Sequence, residues 1–185
     1  MHDVHSREVA ATINARDLLQ RRRTTPIPIE HVRLAVARLH AVRRKLGIQP
    51  YFDEQFLSPG ELKNRDAHEL AVARQLIAAG RFVCALPSTT TVRWQVSPDF
   101  IVDSTAVDVK RVTGKGVTRR IRRGIEQTGG RGGALVLQVT DPHLIPTARL
   151  AIQRAVAQGQ LAYVLLEASD GTAVESFGAW GEANE

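Results

Sequence analysis

The sequence contains one cysteine, Cys84, among its 185 residues. A disulfide within the chain and a zinc cluster built on thiolates are both excluded, because each needs at least two cysteines. Cys84 lies in the apolar run 81–86, where a small side chain of the core is expected, and no nearby residue in the sequence would serve as the base for a catalytic thiol.

The sequence also lacks long apolar stretches. No run approaches the about 20 residues that a membrane-spanning helix needs, and the residues 1–4 do not resemble the start of a secretory signal. We therefore expect a soluble chain with no membrane span. Aromatic residues make up 5% of the chain, which is too few for a broad platform that stacks single-stranded bases.

The sequence contains no motif for two further classes of site. The glycines of the stretch 129–133 are not followed by the Lys-Ser/Thr pair of a phosphate-binding loop, so a nucleotide-binding loop of that kind is rejected. The histidines show no spacing typical of metal ligands, which argues against a zinc hydrolase. They are His2, His5, His31, His40, His68 and His143.

Positive charge is what the sequence has in excess, with 25 Lys+Arg against 19 Asp+Glu and a net charge of +6. Most of the basic residues are arginine, whose forked guanidinium suits phosphate. A polyanionic partner is therefore expected, nucleic acid first, although a solvated basic surface would give the same balance. The densest run of basic residues contains a single acidic residue, Glu126. This run predicts a groove that binds a phosphate backbone. It comprises Lys110, Arg111, Lys115, Arg119, Arg120, Arg122, Arg123 and Arg131.

The order of predicted elements indicates an α/β fold. A capping box at Ser58 and Glu61 begins one long helix that ends near Gly80, and the apolar run 134–139 predicts a central buried strand. Helices are predicted over 3–22, 29–46, 58–79, 118–128 and 146–158, and strands over 81–86, 91–96, 134–139, 161–167, 172–177 and on both sides of residues 103–105.

The domain organisation follows from this order. Residues 1–50 form a predicted N-terminal helical extension, and residues 57–180 form the predicted main domain. The two N-terminal helices carry many arginines, so they either contact nucleic acid as a basic hairpin or support the rest of the fold.

The stretch 97–111 is the candidate for chemistry. It reads as two strands joined by a tight turn at Asp103-Ser104-Thr105. Side chains alternate on a strand, so Asp108 and Lys110 point to the same side. With Asp99 at the start of the neighbouring strand they would form a charged cluster able to hold a divalent cation and meet a phosphate. The alternative is an ordinary turn followed by a surface ion pair, worth about 0–1 kcal/mol.

These motifs in this order resemble the PD-(D/E)XK nuclease superfamily, which has the restriction-endonuclease-like fold. Pro98-Asp99 followed by Asp108-Val109-Lys110 corresponds to its motif, and Glu69 on the preceding helix corresponds to the helical acid of many members. The resemblance covers about residues 57–167. Within the superfamily the pattern is most similar to the tRNA-nuclease domains at the C-termini of contact-dependent inhibition toxins.

The resemblance implies a mixed central sheet flanked by helices, a bound Mg²⁺ or Mn²⁺, and a role for each motif residue. Asp99 and Asp108 would ligate the cation, Glu69 would ligate it through water, and Lys110 would orient the attacking water or stabilise charge on the phosphate. Gln127 would contact the phosphate or be a surface residue. For Glu69 the alternative is an ordinary bond to an arginine such as Arg65 or Arg74.

Three functions remain open at this point. The first, implied by the resemblance, is a metal-dependent nuclease that cleaves RNA, with tRNA favoured over DNA. Such a toxin is delivered from a larger secreted bacterial protein, acts in the cytoplasm and is blocked by an acidic immunity protein. The second is a DNA endonuclease of the same fold in repair, restriction or phage biology. The third is a basic nucleic-acid-binding domain without catalysis.

Overall fold

The computed structural model describes residues 2–20, 27–87 and 98–180. Within them the chain is α/β, with six helices and one mixed sheet of seven strands in the order β1-β2-β3-β4-β5-β6-β7. This agrees with the predicted mixed sheet flanked by helices. The chain divides into two compact units, Met1–Ser104 and Thr105–Glu185, each described below by itself.

The first unit combines four helices with three short strands. β1 pairs in parallel with β2, and β2 pairs antiparallel with β3. The two N-terminal helices are confirmed, whereas the predicted strand 91–96 lies outside the described residues. β1 was not predicted, because two residues show no alternation. The elements are α1 (His2–Gln20), α2 (Ile29–Lys45), β1 (Phe52–Asp53), α3 (Pro59–Lys63), α4 (Ala67–Ala78), β2 (Val83–Ala85) and β3 (Phe100–Val102).

The single helix predicted over 58–79 is wrong, because the structure has two helices there. The capping box itself is confirmed, since Glu61 N donates to Ser58 Oγ at 3.3 Å and Ser58 N donates to Glu61 Oε2 at 2.9 Å. The break comes three residues after α3, where Asp66 Oδ1 accepts from His68 N at 2.7 Å. Asp66 is thus an N-cap, which begins a new helix.

Arginines of α2 bond to other parts of the first unit. Arg43 Nη1 donates to the buried carboxylate of Asp53 at 2.5 Å, and Arg33 Nε donates to the backbone oxygen of Ser104 at 2.8 Å. These bonds cross the boundary predicted at residue 50. Of the two roles considered for the N-terminal helices, these contacts favour support of the fold.

Asp103 is held at the turn between β3 and β4 in an uncommon backbone conformation. Its φ is 55°, in the left-handed region that side chains other than glycine rarely adopt. Three donors fix its carboxylate: Arg44, Arg81 Nη1 at 3.0 Å and the backbone N of Phe82 at 3.3 Å. A carboxylate with three donors stabilises a turn that the backbone alone would disfavour.

His40 on α2 is expected to make the stability of the protein depend on pH. Its ring stacks on Phe82, with 5.2 Å between the ring centroids. Burial lowers the pKa of His40 from 6.5 to about 4, against the opposite effect of Asp53 and Asp103. The unfolded chain therefore binds a proton at higher pH than the folded chain does. The free energy of unfolding should fall as the pH drops from 6.5 towards 4, by about 3 kcal/mol at most.

The variant His40→Phe should lose this part of the pH dependence, because its ring can still stack and cannot titrate. Urea unfolding at pH 7 and pH 4.5 measures the difference for wild type and variant. The exposed His143, replaced by Gln, is the control and should leave the wild-type difference unchanged. If the free energy of unfolding differs between pH 7 and pH 4.5 by the same amount in His40→Phe and in wild type, His40 does not cause the pH dependence.

The second unit is built on parallel strands. β4, β5 and β6 are parallel neighbours, and β7 runs antiparallel to β6. All residues of β5 are buried, which confirms the predicted central strand. The elements are β4 (Thr105–Val112), α5 (Val117–Thr128), β5 (Ala134–Val139), a 3₁₀ turn (Pro142–Leu144), α6 (Ile145–Ala157), β6 (Tyr163–Glu167) and β7 (Ala173–Gly178).

The core of this unit fixes which side of β4 carries the candidate residues. Leu135 and Leu137 of β5 pack in one cluster with residues of α5 and α6. Asp108 is paired with Leu135 and Lys110 with Leu137, and paired residues of parallel strands point to the same face. Asp108 and Lys110 therefore lie on the face of the sheet that α5 and α6 cover.

Close packing of α5 on β5 depends on one glycine. A Cβ at Gly124 would lie 2.7 Å from Leu135 Cδ1, which is closer than real contacts allow. Glycine at this position lets the helix approach the strand.

Across the described ranges, no helix is both long and apolar enough to cross a membrane.

Candidate functional site

In the first unit, Arg65 bonds to the side chain of one acidic candidate, Glu69, and to the backbone of the other, Asp99. Glu69 lies in the first turn of α4, and Asp99 lies just before β3. Arg65 Nη1 donates to Glu69 Oε2 at 3.1 Å and to the backbone oxygen of Asp99 at 3.2 Å. Of the two arginines considered as partners for Glu69, the structure thus shows a bond from Arg65, while Arg74 is exposed.

Arg65 is itself held firmly. Its Nη2 donates to the backbone oxygen of Leu86 at 2.5 Å, and its guanidinium carbon lies 5.2 Å from the centroid of the Phe100 ring. The side chain is 9% exposed. From the sequence, Arg65 is predicted only as a candidate partner of Glu69, and its spacing of four residues from Glu69 is typical of a bonded pair.

The pKa of Glu69 is raised, first by burial and then by the nearby charge of Asp99, while Arg65 opposes the shift. Two carboxylates that repel each other in a partly buried place are suited to a divalent cation, which would compensate both charges. Carboxylate oxygen is also the donor that Mg²⁺ prefers. The donor chemistry of these two carboxylates is therefore the kind that Mg²⁺ uses, and the metal ion itself stays a prediction.

In the second unit, Asp108 and Lys110 form a tight pair on β4. Lys110 Nζ lies 2.7 Å from the Asp108 carboxylate and donates also to the backbone oxygen of Val109 at 3.3 Å. The prediction that both side chains share a face is confirmed by the strand register. Asp108 is 0% exposed, so the alternative of a weak surface ion pair does not apply to it.

Gln127 lies near the end of α5, one turn after Arg123. Its amide oxygen is buried and accepts no hydrogen bond within the part of the chain that the structure describes. A buried acceptor without a donor is uncommon and is often satisfied by water or a ligand. The role predicted for Gln127 at the phosphate stays a prediction.

The six basic residues of the run that follow β4 are all exposed. α5 turns its apolar residues Val117 and Ile121 to the core, so its arginines point away from it. An ion pair on this face joins Arg122 Nε to Glu126 Oε1 at 3.6 Å and is itself exposed. The exposed members are Lys115, Arg119, Arg120, Arg122, Arg123 and Arg131.

Arg111 differs from the rest of the predicted basic run. It follows Lys110 on β4, so its side chain lies on the opposite face of the sheet from Asp108 and Lys110. Its Nε donates to the side-chain oxygen of Gln138 at 2.6 Å, and Gln138 Nε2 donates to the backbone oxygen of Ser169 at 3.2 Å. The structure does not bring Arg111 together with the Asp108–Lys110 pair.

Within the described residues, no group of three metal ligands is found, and the groove between α5 and α6 does not include Asp108 or Lys110. Among residues 2–20, 27–87 and 98–180, no three His, Cys, Asp or Glu side chains are grouped in a way that could hold a metal ion. An open groove of about 380 Å³ lies between α5 and α6, and Asp108 and Lys110 do not line it. Its lining includes Ile121, Arg122, Ile125, Leu150 and Arg154.

Comparison with known proteins adds no relative. No family model, no curated protein and no solved structure matches this chain.

Proposed function

We propose that the chain is a metal-dependent nuclease that hydrolyses phosphodiester bonds in RNA, with tRNA as the favoured substrate. The observation that carries the proposal is the pair on β4, in which a fully buried Asp108 lies 2.7 Å from Lys110. A buried carboxylate with an ammonium two residues later on the same strand face matches the Asp-x-Lys part of the nuclease motif.

The metal ion of this proposal is Mg²⁺ or Mn²⁺. Glu69 and Asp99 would hold it, because Arg65 bonds both to the Glu69 carboxylate and to the Asp99 backbone. The resemblance adds Asp108 to the ligands. When bound, the ion would neutralise charge that develops on the scissile phosphate. Mg²⁺ commonly takes one or two protein carboxylates together with water and substrate phosphate, so a small set of protein ligands suffices.

Lys110 is the group that acts on the reacting atoms in this proposal. Its side chain is 15% exposed, so the ammonium is largely desolvated and yet reachable from solvent. A positive charge in such a place stabilises an anionic transition state more strongly than it would in water. The bond to Asp108 holds the ammonium in place, and Lys110 then orients the attacking water or stabilises the charge on the phosphate.

Exposed arginines on α5 support a nucleic acid as the substrate. The arginines of α2 discussed above bond within the protein, whereas those of α5 extend from the surface. Guanidinium groups on one helix face suit the phosphates of a folded RNA, which proteins recognise largely by shape. We favour tRNA because the resemblance is to tRNA-nuclease toxins. It further suggests action in the cytoplasm, delivery from a larger secreted protein and an acidic immunity protein as partner.

The test of substrate is to induce the chain in a bacterium and examine the nucleic acids when growth stops. Discrete tRNA fragments with an intact chromosome would support the proposal. A degraded chromosome with intact tRNA would contradict it and favour the DNA endonuclease. Intact tRNA and an intact chromosome in cells that accumulate the folded protein would favour a binding domain without catalysis.

Reversing the charge of four α5 arginines should weaken nucleic-acid binding and flatten its dependence on salt. Each lost phosphate contact lowers the slope of log affinity against log salt by about one unit. The variant changes Arg119, Arg120, Arg122 and Arg123 to Glu, and filter binding of tRNA between 50 and 200 mM salt, roughly the range in which such contacts show, measures the slope.

A matched control makes the same change in net charge elsewhere. It replaces four other exposed arginines, Arg7, Arg16, Arg38 and Arg74, by Glu. We expect the control to keep a slope near that of the wild type. Equal slopes for the α5 variant and the wild type would show that this helix face does not contact the phosphates.

A further inference from the structure

We propose that Arg65 is a positioning residue, which holds the Glu69 carboxylate and the Asp99 segment in the arrangement that binds the divalent cation. The inference rests on the proposed function only for the identity of the cation site. Arg65 touches neither substrate nor reacting atoms in this proposal, and it acts through the Glu69 carboxylate that it bonds and the Asp99 backbone that it holds.

One nitrogen of Arg65 donates to two partners. Nη1 of Arg65 donates both to Glu69 Oε2, at 3.1 Å, and to the backbone oxygen of Asp99, at 3.2 Å. The bond fixes one oxygen of Glu69, Oε2, beside the guanidinium. It also ties the backbone at Asp99 to the first turn of α4.

The guanidinium of Arg65 is also fixed by contacts other than its bonds to Glu69 and Asp99. Nη2 bonds to the backbone oxygen of Leu86 just after β2, and the group lies over the ring of Phe100 at the start of β3. Arg65 therefore joins α4 to the ends of two strands. A side chain anchored on several elements loses little further freedom when it orients a ligand.

Two substitutions distinguish the orienting role of Arg65 from the effect of its positive charge. A planar guanidinium serves all three oxygens at once, which a lysine ammonium cannot do with the same geometry. Arg65→Lys therefore keeps the charge and removes the orientation, whereas Arg65→Gln removes both. If Arg65 acted through its charge alone, loss of a positive group beside Glu69 would strengthen cation binding.

The expected result is that both variants bind Mn²⁺ more weakly, by about tenfold or more, the usual scale for a residue that orients a metal ligand. Mn²⁺ titration of the purified full chain without nucleic acid, followed by electron paramagnetic resonance, gives the affinity. The control is Arg74→Gln, which removes an exposed arginine of α4 and should leave the affinity unchanged.

Circular dichroism and thermal unfolding of each variant identify a purely structural role. The titrations are made at a temperature where every variant is folded. Variants that unfold at a lower temperature and yet bind Mn²⁺ as the wild type does would overturn the inference. Tighter binding by Arg65→Gln, or wild-type binding by Arg65→Lys, would overturn it as well, and so would a wild-type chain that binds no Mn²⁺.

Failure of this inference differs from failure of the proposed function. Weaker Mn²⁺ binding by both Arg65 variants in a chain that cleaves neither RNA nor DNA would retain the cation site and reject the nuclease. Metal-dependent cleavage by a chain whose Mn²⁺ affinity does not change in the Arg65 variants would retain the nuclease and reject Arg65 as a positioning residue.

Discussion

The variant Asp108→Asn should lower the rate of RNA cleavage by at least about 10²-fold, the scale on which removal of one electrostatic group acts in an enzyme. Asparagine has nearly the same shape and can still accept a bond from Lys110. It lacks the negative charge that holds the ammonium and that would bind the cation. Single-turnover cleavage of tRNA with Mg²⁺ measures the rate.

Asparagine is the better replacement for this test because Asp108 is fully buried. Alanine would leave a cavity and an unpaired lysine, so loss of activity could reflect unfolding. Circular dichroism should show that Asp108→Asn is folded. A folded Asp108→Asn variant that cleaves at the wild-type rate would remove Asp108 from the site.

The variant Lys110→Met should also lose at least about 10²-fold in rate, because a positioned proton-transfer or electrostatic group is usually worth that much. Methionine keeps the length of the side chain and removes its charge. It also leaves the buried Asp108 carboxylate without the ammonium at 2.7 Å. Loss of one partner from a buried ion pair costs about 3–5 kcal/mol of stability, so the rate is measured well below the unfolding temperature.

Two further lysine variants show what the ammonium does. Lys63→Met removes an exposed lysine outside the basic run and should keep the wild-type rate. Lys110→Arg keeps the charge and should recover part of the rate if electrostatic stabilisation is its role. Equal rates for Lys110→Met and wild type would contradict a role of Lys110 in the reaction.

Much of the fold could be predicted from periodicity and from turn-forming residues. The apolar run that became β5 has no alternation, which correctly indicated a strand buried on both faces. The error over 58–79 has a local cause. The capping box at Ser58 was recognised, but Asp66 can occupy a helix interior or an N-cap, and the sequence pattern did not distinguish these positions.

The candidate site was predictable where the residues lie close together in the sequence. The period of a strand correctly placed Asp108 and Lys110 on one face, and the same period places Arg111 on the other. The bonds that hold Arg65 link positions 65, 86 and 99, which are far apart in sequence. No pattern within one element predicts such links.

The arginines of α2 show the same limit. In the sequence they resemble those of α5, because both helices are rich in arginine. The structure separates them: Arg43 and Arg44 bond to Asp53 and Asp103, while the α5 arginines are exposed. The acids that pair with an arginine determine its role, and those acids belong to other elements.

The central claim, metal-dependent cleavage of phosphodiester bonds, is tested most directly with purified protein. The wild-type chain and the folded Asp108→Asn variant are incubated with total tRNA and with plasmid DNA, with Mg²⁺ or with EDTA. We predict that the wild type fragments tRNA with Mg²⁺, that EDTA stops the reaction and that the variant is inactive. Folded wild-type protein that leaves both nucleic acids intact with Mg²⁺ and Mn²⁺, or that cleaves equally well with EDTA, would contradict the claim.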